Sequence, residues 1–162
     1  DGSDIDGGVG AAAVLYTRGK RISQRKTLRH YLGTSGEHTV YEAELAGMLL
    51  ALQLLRNISA RIHGSVFIAL DNRAAIQAAS HAQSGPAHYL LHDFHSTLCT
   101  IKRKHPNMRL TLRWVPGHTD IEGNEQADDD AKQAAHQHTS PRSQLPARLR
   151  KPLPSSASKL RQ

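Results

Sequence analysis

The chain of 162 residues is long enough to form one ordinary domain with its own apolar core. Its single cysteine, Cys99, excludes an internal disulfide, and no apolar run approaches the roughly 20 residues needed to cross a bilayer. We therefore expect no membrane partner and an intracellular location, in the nucleus or the cytoplasm. The chain begins at Asp1 without an initiator methionine or a leader, and we interpret it as a segment of a longer protein.

The formal net charge of +7 indicates a polyanionic partner, but the charge is unevenly distributed. Residues 139–162 contain six Lys and Arg side chains, four prolines and no acid, so residues 1–138 carry a formal charge of only +1. This composition predicts a domain at 1–138 followed by a disordered, basic tail or linker rich in proline and serine. Cations between residues 18 and 29 and acids between 120 and 130 suit a metal-dependent nuclease.

The first half of the chain predicts a hairpin followed by a helix. Residues 9–17 and 21–32 are rich in strand-forming residues, and Gly19 and Lys20 occupy the position of a turn between them. Residues 41–58 then carry apolar side chains at helical spacing. These apolar residues are Leu45, Met48, Leu49, Leu52 and Leu55.

The second half alternates strands and helices. Residues 65–70 form a short apolar run that predicts a strand buried on both faces, and the stretch AAIQAA after it predicts a short helix. A second amphipathic helix is expected at 87–104, an alternating strand at 108–115 and a last helix from 123 to about 138. This order predicts an α/β fold, with a mixed sheet covered by helices.

Four acids stand at positions where they are able to meet. Asp71 follows the apolar strand, Glu44 lies in the first turn of the longest helix, Asp128 lies early in the last helix and Asp1 opens the chain. Carboxylates are the hard oxygen ligands that Mg²⁺ prefers, and two such ions about 4 Å apart activate water against a phosphodiester. Acids near helix N-termini also serve as caps, so spacing alone leaves both interpretations open.

Four sequence blocks resemble those of the ribonuclease H family: DGS at 1–3, AEL at 43–45, LDN at 70–72 and WVPGHTDIEGNEQADDDAK at 114–132. They are most similar to the versions found in non-LTR retrotransposons. The resemblance implies an α/β fold with a mixed five-stranded sheet flanked by helices, in which Asp1 lies within the first strand, so that this strand is truncated here. It also implies an endonuclease that hydrolyses the RNA strand of RNA–DNA hybrids and leaves a 5′-phosphate and a 3′-hydroxyl.

The resemblance also assigns roles to individual residues. It implies two Mg²⁺ ions, with Mn²⁺ as an alternative, held by the catalytic carboxylates of Asp1, Glu44, Asp71 and Asp128. His118 takes the role of a mobile proton-transfer or product-release residue, which fits an imidazole that titrates near neutral pH. Ser3 and Asn72 are expected to contact the minor groove of the hybrid. An upstream reverse transcriptase domain of the same polyprotein is the expected partner.

Other polar and aromatic residues receive structural interpretations. Glu42 is expected to be solvated, and Trp114 is expected to lie in the core of the last strand. Three histidines follow one helix face, and without an evident further ligand we interpret that face as solvated and not as a metal site. These histidines are His88, His92 and His95.

Two features leave a rival function open. Val40 and Tyr41 stand where many family members carry amide side chains, which puts strand discrimination by that route in doubt. The truncated first strand also predicts that the segment beginning at Asp1 is less stable and less active than a longer form. The rival is therefore a catalytically weakened module that binds hybrids or serves a structural role. A related nuclease or strand transferase of the same fold is a third candidate.

Overall fold

A computed structural model describes residues 1–18, 23–81, 85–117 and 122–160, which contain five β-strands and four α-helices. The order confirms the predicted succession of elements and adds one short strand at the start. The turn residues Gly19 and Lys20 lie outside the described residues. The elements are β1 (Gly2–Ile5), β2 (Gly8–Arg18), β3 (Ser23–Thr34), α1 (Val40–Arg56), β4 (Gly64–Leu70), α2 (Arg73–Ser80), α3 (His88–Lys104), β5 (Met108–Trp114) and α4 (Glu122–Ala135).

The strands pair in two groups. β1, β2 and β3 form an antiparallel sheet in that order, and β4 and β5 form a parallel pair. The predicted mixed α/β architecture is confirmed. The expectation of one five-stranded sheet needs correction, because no hydrogen bonds join β2 to β4 among the described residues. The physical reason is the length of β1: it has four residues and pairs with β2 only from Gly8 to Ala11, so it does not reach along β4.

An apolar cleft separates the two groups of strands. Its volume is about 540 Å³, and its walls are the edge of β2 beyond Ala12 and the edge of β4. The apolar side chains of Met48 and Leu55 on α1 line it as well. Two strand edges thus face each other across a cleft, with their outward backbone groups not paired to another described strand.

Helices α1 and α4 cover opposite faces of the β1–β2–β3 sheet. A Cβ atom at Gly2 would meet the α1 backbone at Glu44, 2.7 Å away, whereas one at Gly10 would lie 2.2 Å from the backbone nitrogen of Ala135 on α4. Glycine therefore permits backbone contact that any side chain would prevent. Together with buried leucines of α1 and α3, these contacts form the main apolar core.

Glu42 is a buried capping residue and is not solvated as predicted. Its side chain is 2 % exposed and accepts a hydrogen bond from the backbone N–H of Thr39, at 2.8 Å, while the Thr39 hydroxyl accepts from the backbone of Glu42. This reciprocal pair is a capping box that fixes the start of α1. The spacing T-x-x-E at 39–42 predicts this capping box, because a glutamate at the third helical position can direct its carboxylate back to the N-cap residue.

Two predictions about the parallel strands are wrong. β4 is not buried on both faces, since Phe67 is 51 % exposed, and Trp114 is not a core residue, since it is 41 % exposed. Helix α4 packs mainly on β1, β2 and β3, and every second side chain of β4 and β5 stays exposed. Trp114 lies at the end of β5, where the guanidinium of Arg73 stacks 4.1 Å from the centroid of its ring.

The segment after α4 is ordered against the domain, so the prediction of a disordered tail is wrong for residues 139–160. Leu145, Leu149 and Leu153 are buried and belong to the main apolar core. The Arg148 guanidinium also pairs with Asp93 on α3. The physical reason is an apolar repeat of four residues, L-x-x-x-L-x-x-x-L at 145–153, which presents one apolar row despite the prolines between the leucines.

Candidate active site

Three of the four predicted acids converge. Asp1, Glu44 and Asp71 each offer a carboxylate oxygen, and these oxygens lie within 4.8 Å of one another. They come from the start of β1, from α1 and from the end of β4, which are far apart in the chain. An acidic cluster is therefore built where the two groups of strands and the longest helix meet.

Small residues bring Asp1 next to Glu44. A Cβ atom at Gly47 would lie 2.8 Å from the backbone nitrogen of Asp1 and 3.0 Å from its carbonyl oxygen. A Cβ atom at Gly2 would lie 2.7 Å from the backbone nitrogen of Glu44, so the backbones of β1 and α1 are in close contact. Asp1 is fixed by β2: its α-amino group donates to the carbonyl of Ala12, at 2.9 Å, and its own carbonyl accepts from the Ala12 N–H, at 3.0 Å.

Asp71 is positioned by β5 and by the residues that follow it. The backbone N–H of Val115 donates to the carbonyl of Leu70, at 2.9 Å, and the indole N–H of Trp114 donates to the carbonyl of Asp71, at 3.0 Å. A Cβ atom at Gly117 would lie 2.9 Å from one carboxylate oxygen of Asp71. The end of β5 therefore supports Asp71 through its backbone and leaves its carboxylate free to face the cluster.

Asp128 lies nearby but has a different partner. Its carboxylate accepts a hydrogen bond from the ammonium group of Lys132 one turn later on α4, at 2.6 Å. It is not among the three acids whose oxygens lie together. Its charge nevertheless reaches the cluster, because it contributes to raising the pKa of Glu44.

Glu44 is the most buried acid of the cluster, with 4 % exposure. Burial raises its pKa above the ordinary value of 4.5; the positive α-amino group of Asp1 opposes this, and the negative charges of Asp71 and Asp128 add to it. Its Oε2 atom has no hydrogen-bond partner among the described residues. An unpartnered buried carboxylate oxygen costs free energy unless a cation or a proton is supplied, so the donor set fits a divalent ion that prefers oxygen ligands.

Two of the remaining predicted site residues, Ser3 and Asn72, closely follow acids of the cluster in the chain. Ser3 is half-buried in β1, opposite Gly10 of β2. Asn72 follows Asp71 and caps α2, because its side-chain oxygen accepts from the backbone N–H of Ala75, at 3.1 Å. This cap leaves the Asn72 amide NH₂ group for another partner. His118 lies outside the described residues.

Two contacts at the site were not predicted from the sequence. Lys132 pairs with Asp128, and the spacing of four residues on one helix is the signal that points to such a pair. Trp114 donates to the carbonyl of Asp71 and is itself covered by Arg73. The periodicity of the sequence does not predict this second contact, because the contact depends on how β4 and β5 align.

Comparison with solved structures defines the class of fold. The chain is similar to the N-terminal RNase H domain of Rv2228c from Mycobacterium tuberculosis, solved as a fusion with maltose binding protein, with a TM-score of 0.58 and 18 % identity over 85 % of this chain and 93 % of that chain. It is also similar to LC9-RNase H1, described as a type 1 RNase H with the type 2 active-site motif, with a TM-score of 0.54 and 19 % identity. That match covers 82 % of this chain and 64 % of the other. Comparison with curated proteins gives no match.

The family model of RNase H matches residues 1–136, and the chain therefore belongs to the RNase H family. The family match supports ribonuclease H activity, the hydrolysis of RNA in RNA–DNA hybrids. None of the described helices is long and apolar enough to cross a membrane.

Proposed function

We propose that this chain cleaves the RNA strand of RNA–DNA hybrids by a two-metal-ion mechanism, with Asp1, Glu44, Asp71 and Asp128 as the ligands. The observation that carries the proposal is the convergence of Asp1, Glu44 and Asp71 within 4.8 Å. Bound Mg²⁺, with Mn²⁺ as an alternative, would lower the pKa of a water molecule and neutralise charge that develops on the phosphate. The three carboxylates hold negative charge at one point, to which only a cation or a proton is attracted.

Each acid contributes differently to the proposed site. Asp1 and Glu44 are fixed by backbone contacts between β1, β2 and α1, so their carboxylates are preorganised. Asp71 stands at the C-terminal end of β4, where the substrate phosphate has access from solvent. Asp128 would complete the set by exchanging Lys132 for a metal ion, and its electrostatic effect on Glu44 supports this role.

The substrate would lie against the edge formed by Asp71, Ser3 and Asn72. The Ser3 hydroxyl and the amide NH₂ group of Asn72 are suited to hydrogen bonds with 2′-hydroxyls, which distinguish RNA from DNA. His118 would transfer a proton to or from the reacting oxygens. The resemblance of residues 114–132 to retrotransposon sequences supports a place for this domain in a retroelement polyprotein, together with a reverse transcriptase that produces the hybrid.

Cleavage of an end-labelled RNA–DNA hybrid in Mg²⁺ tests the proposal. The full chain should release fragments with 5′-phosphates and should leave the matching DNA duplex intact, and chelation of the metal should stop the reaction. Asp71→Asn and Asp128→Asn should each reduce the rate by orders of magnitude. Asp129→Asn is the matched control for Asp128, because Asp129 is the neighbouring, exposed acid.

The rival function is a hybrid-binding module with weakened catalysis, and the ion pair between Asp128 and Lys132 is the observation that favours it. This rival predicts hybrid binding with a dissociation constant that is the same with Mg²⁺ and with chelator, and no cleavage at any metal concentration. Metal-dependent cleavage by the wild type, lost in Asp71→Asn, would exclude the rival. Equal cleavage by the wild type and Asp71→Asn would reveal a contaminating nuclease and refute our assignment of the site.

A further inference from the structure

Outside the acidic cluster, the parallel strand pair presents a flat, uncovered surface. Side chains alternate along β4 and β5, and every second one is exposed to solvent. Helix α4 packs mainly on β1, β2 and β3, and these outward-facing residues of β4 and β5 stay exposed. Those of β4 also line the apolar cleft, together with residues of α4. We name this exposed surface of the strand pair the open sheet face; its residues are Ser65, Phe67, Ala69, Arg109, Thr111 and Arg113.

An aromatic ring and an arginine dominate the open sheet face. Phe67 exposes half of its surface, and the guanidinium carbon of Arg113 lies 4.2 Å from the centroid of its ring. A single exposed apolar side chain is ordinary by itself. What distinguishes Phe67 is the guanidinium stacked on its ring and its place among the residues that line the apolar cleft. A planar ring beside a planar cation is the combination on which nucleic-acid bases stack without sequence preference.

The open sheet face carries two arginines, Arg109 and Arg113, and no acidic side chain. Acidic side chains are also absent from the two sequence segments that contain β4 and β5 together with most of α1 and α3. Neither residues 45–70 nor residues 94–117 contain an aspartate or a glutamate, whereas together they contain seven Lys and Arg residues. These seven are Arg56, Arg61, Lys102, Arg103, Lys104, Arg109 and Arg113. On the strand pair itself the cations are Arg109 and Arg113 of β5, whereas the other five lie on α1, on α3 or in the segment before β4. The acidic cluster lies at one end of the pair.

Several of the cations gather at the end of the strand pair that lies away from Asp71. The ammonium group of Lys104 donates to the carbonyl of Ile58, at 2.7 Å, which fixes this cation beside the chain that leads into β4. Burial and the nearby positive charges of Lys104, Arg61 and His63 lower the pKa of His105. The electrostatic field at this end thus attracts anions.

The open sheet face leads directly to the acidic cluster. Phe67 and Asp71 are four residues apart on one strand and its end, which corresponds to about 13 Å at roughly 3.3 Å per residue. A nucleic acid that places a phosphate at Asp71 would therefore pass over Phe67 within a few nucleotides. The stacking ring suits bases that are not engaged in a duplex.

We propose that the open sheet face binds single-stranded nucleic acid that extends from the hybrid held at the acidic cluster, with unpaired bases stacked on Phe67 and phosphates on Arg109 and Arg113. The location of the hybrid rests on the proposed function, whereas binding of a single strand does not. Such a contact would hold a substrate whose hybrid region is short or whose RNA strand is already cut. It would add affinity without reading sequence.

Fluorescence anisotropy with a labelled oligodeoxythymidylate tests this proposal, using the full chain with Asp71→Asn to prevent cleavage. Phe67→Ala should weaken binding about 5- to 150-fold, the range for loss of one stacked base, and Phe67→Leu should weaken it as well. Arg109→Gln should reduce the slope of log affinity against log salt by about one. Arg142→Gln is the matched control, since Arg142 is an exposed cation in the C-terminal segment.

The outcomes separate this proposal from the proposed function. Binding that falls in the Phe67 and Arg109 variants but not in Arg142→Gln, with unchanged thermal melting, supports the open sheet face even if the chain cleaves no hybrid. Binding that is equal in all variants overturns it, even if cleavage of a short blunt-ended hybrid is normal. Concentration-dependent self-association lost in Phe67→Ala, without oligonucleotide binding, overturns it in favour of a protein interface.

Discussion

The ammonium nitrogen of Lys132 lies 2.6 Å from a carboxylate oxygen of Asp128, one turn apart on α4. The hydrogen bond to Asp128 raises the pKa of Lys132, so the lysine stays protonated and remains a cation beside Asp128. A metal ion that uses Asp128 must therefore compete with this ammonium group. Asp128 can therefore act as the fourth ligand only when Lys132 releases it, whereas the carboxylates of the other three proposed ligands already lie together.

Replacing Lys132 with methionine should make Mg²⁺ bind more tightly. The pair is partly exposed, and exposed ion pairs of this spacing contribute about 0.3–1 kcal/mol, which corresponds to about a two- to five-fold lower half-saturating concentration of Mg²⁺. Titration of hybrid cleavage against Mg²⁺, with the metal-induced rise in melting temperature as a second readout, measures the change. Lys132→Arg should resemble the wild type, and a methionine variant that needs more Mg²⁺ than the wild type would contradict competition.

Glu44→Gln should stabilise the metal-free protein at neutral pH while removing metal-dependent stabilisation. The pKa of Glu44 is raised, so the folded protein holds a proton that the unfolded chain releases. This contribution to stability is complete below the ordinary pKa of 4.5 and is lost as the pH rises through the raised value. The glutamine keeps the neutral form at every pH, and about 1 kcal/mol corresponds to roughly 2–4 °C in a chain of this size.

Melting temperatures between pH 4 and 8, in chelator and in Mg²⁺, measure this effect. In chelator, the wild type should lose stability relative to Glu44→Gln as the pH increases, and Mg²⁺ should restore only the wild type. Glu125→Gln is the control, because Glu125 is exposed on α4. If the wild type and Glu44→Gln follow the same curve under all conditions, the burial of an unpaired charge at Glu44 is not a source of instability.

Part of this site could be predicted from the sequence because its signals are local. The leucine row of α1 predicts that helix, and the strand-forming residues at 9–17 and 21–32 predict the first hairpin. The family blocks contain Asp1, Glu44 and Asp71, which the fold brings together. The capping box at Thr39 and Glu42 is equally local, and its T-x-x-E spacing explains why Glu42 is buried and not solvated. The leucines at 145, 149 and 153 form a regular row, but the four prolines of the segment give it a composition that is typical of disordered chains.

Other features depend on tertiary contacts that the periodicity of the sequence does not predict. Phe67 sits in an apolar run that resembles a buried strand, yet it is exposed because α4 packs mainly on the other sheet and an apolar cleft lies beside β4. Trp114 follows the alternation of β5, yet the strand ends there and Arg73 covers the ring. The division into two sheets likewise depends on which strand edges find a partner, and such pairing is set by the whole fold.

Gly47→Ala should lower both the melting temperature and the rate of hybrid cleavage. In the interior of α1, alanine would by itself favour the helix by about 1 kcal/mol over glycine. Here its Cβ atom would lie 2.8 Å from the backbone nitrogen of Asp1, and overpacking of this kind costs about 1–3 kcal/mol and moves Asp1 away from Glu44. Gly36→Ala, whose Cβ atom has only one neighbour at 3.7 Å, is the control. A more stable Gly47→Ala variant with normal activity would contradict the close approach.

Leu149→Ala should reduce the free energy of unfolding by about 2–5 kcal/mol, the usual cost of truncating a buried leucine. Denaturant unfolding of the full chain gives this value, and Leu160→Ala, at an exposed leucine, should change it little. Deleting residues 139–162 should destabilise the protein further. Unchanged stability in Leu149→Ala would mean that the C-terminal segment is not part of the core in solution.

A short extension ahead of Asp1 should stabilise the chain if it forms a strand in the apolar cleft. The edge of β2 beyond Ala12 and the edge of β4 face this cleft, and Asp1 lies at its end. A segment that continues β1 in the direction of its N-terminus would pair antiparallel with β2 and parallel with β4, and would bury apolar side chains against Met48 and Leu55.

The extension also replaces the charged α-amino group of Asp1 by an amide. That removes a positive charge next to the proposed metal ligands, so both stability and affinity for Mg²⁺ should increase. An extension of alternating valine and threonine should raise the melting temperature by several degrees, whereas one of the same length with two prolines should remove the charge without forming the strand. Thermal melts and Mg²⁺ titrations of both forms separate the two effects. Equal melting temperatures for the two extensions would show that the facing strand edges do not accept a strand.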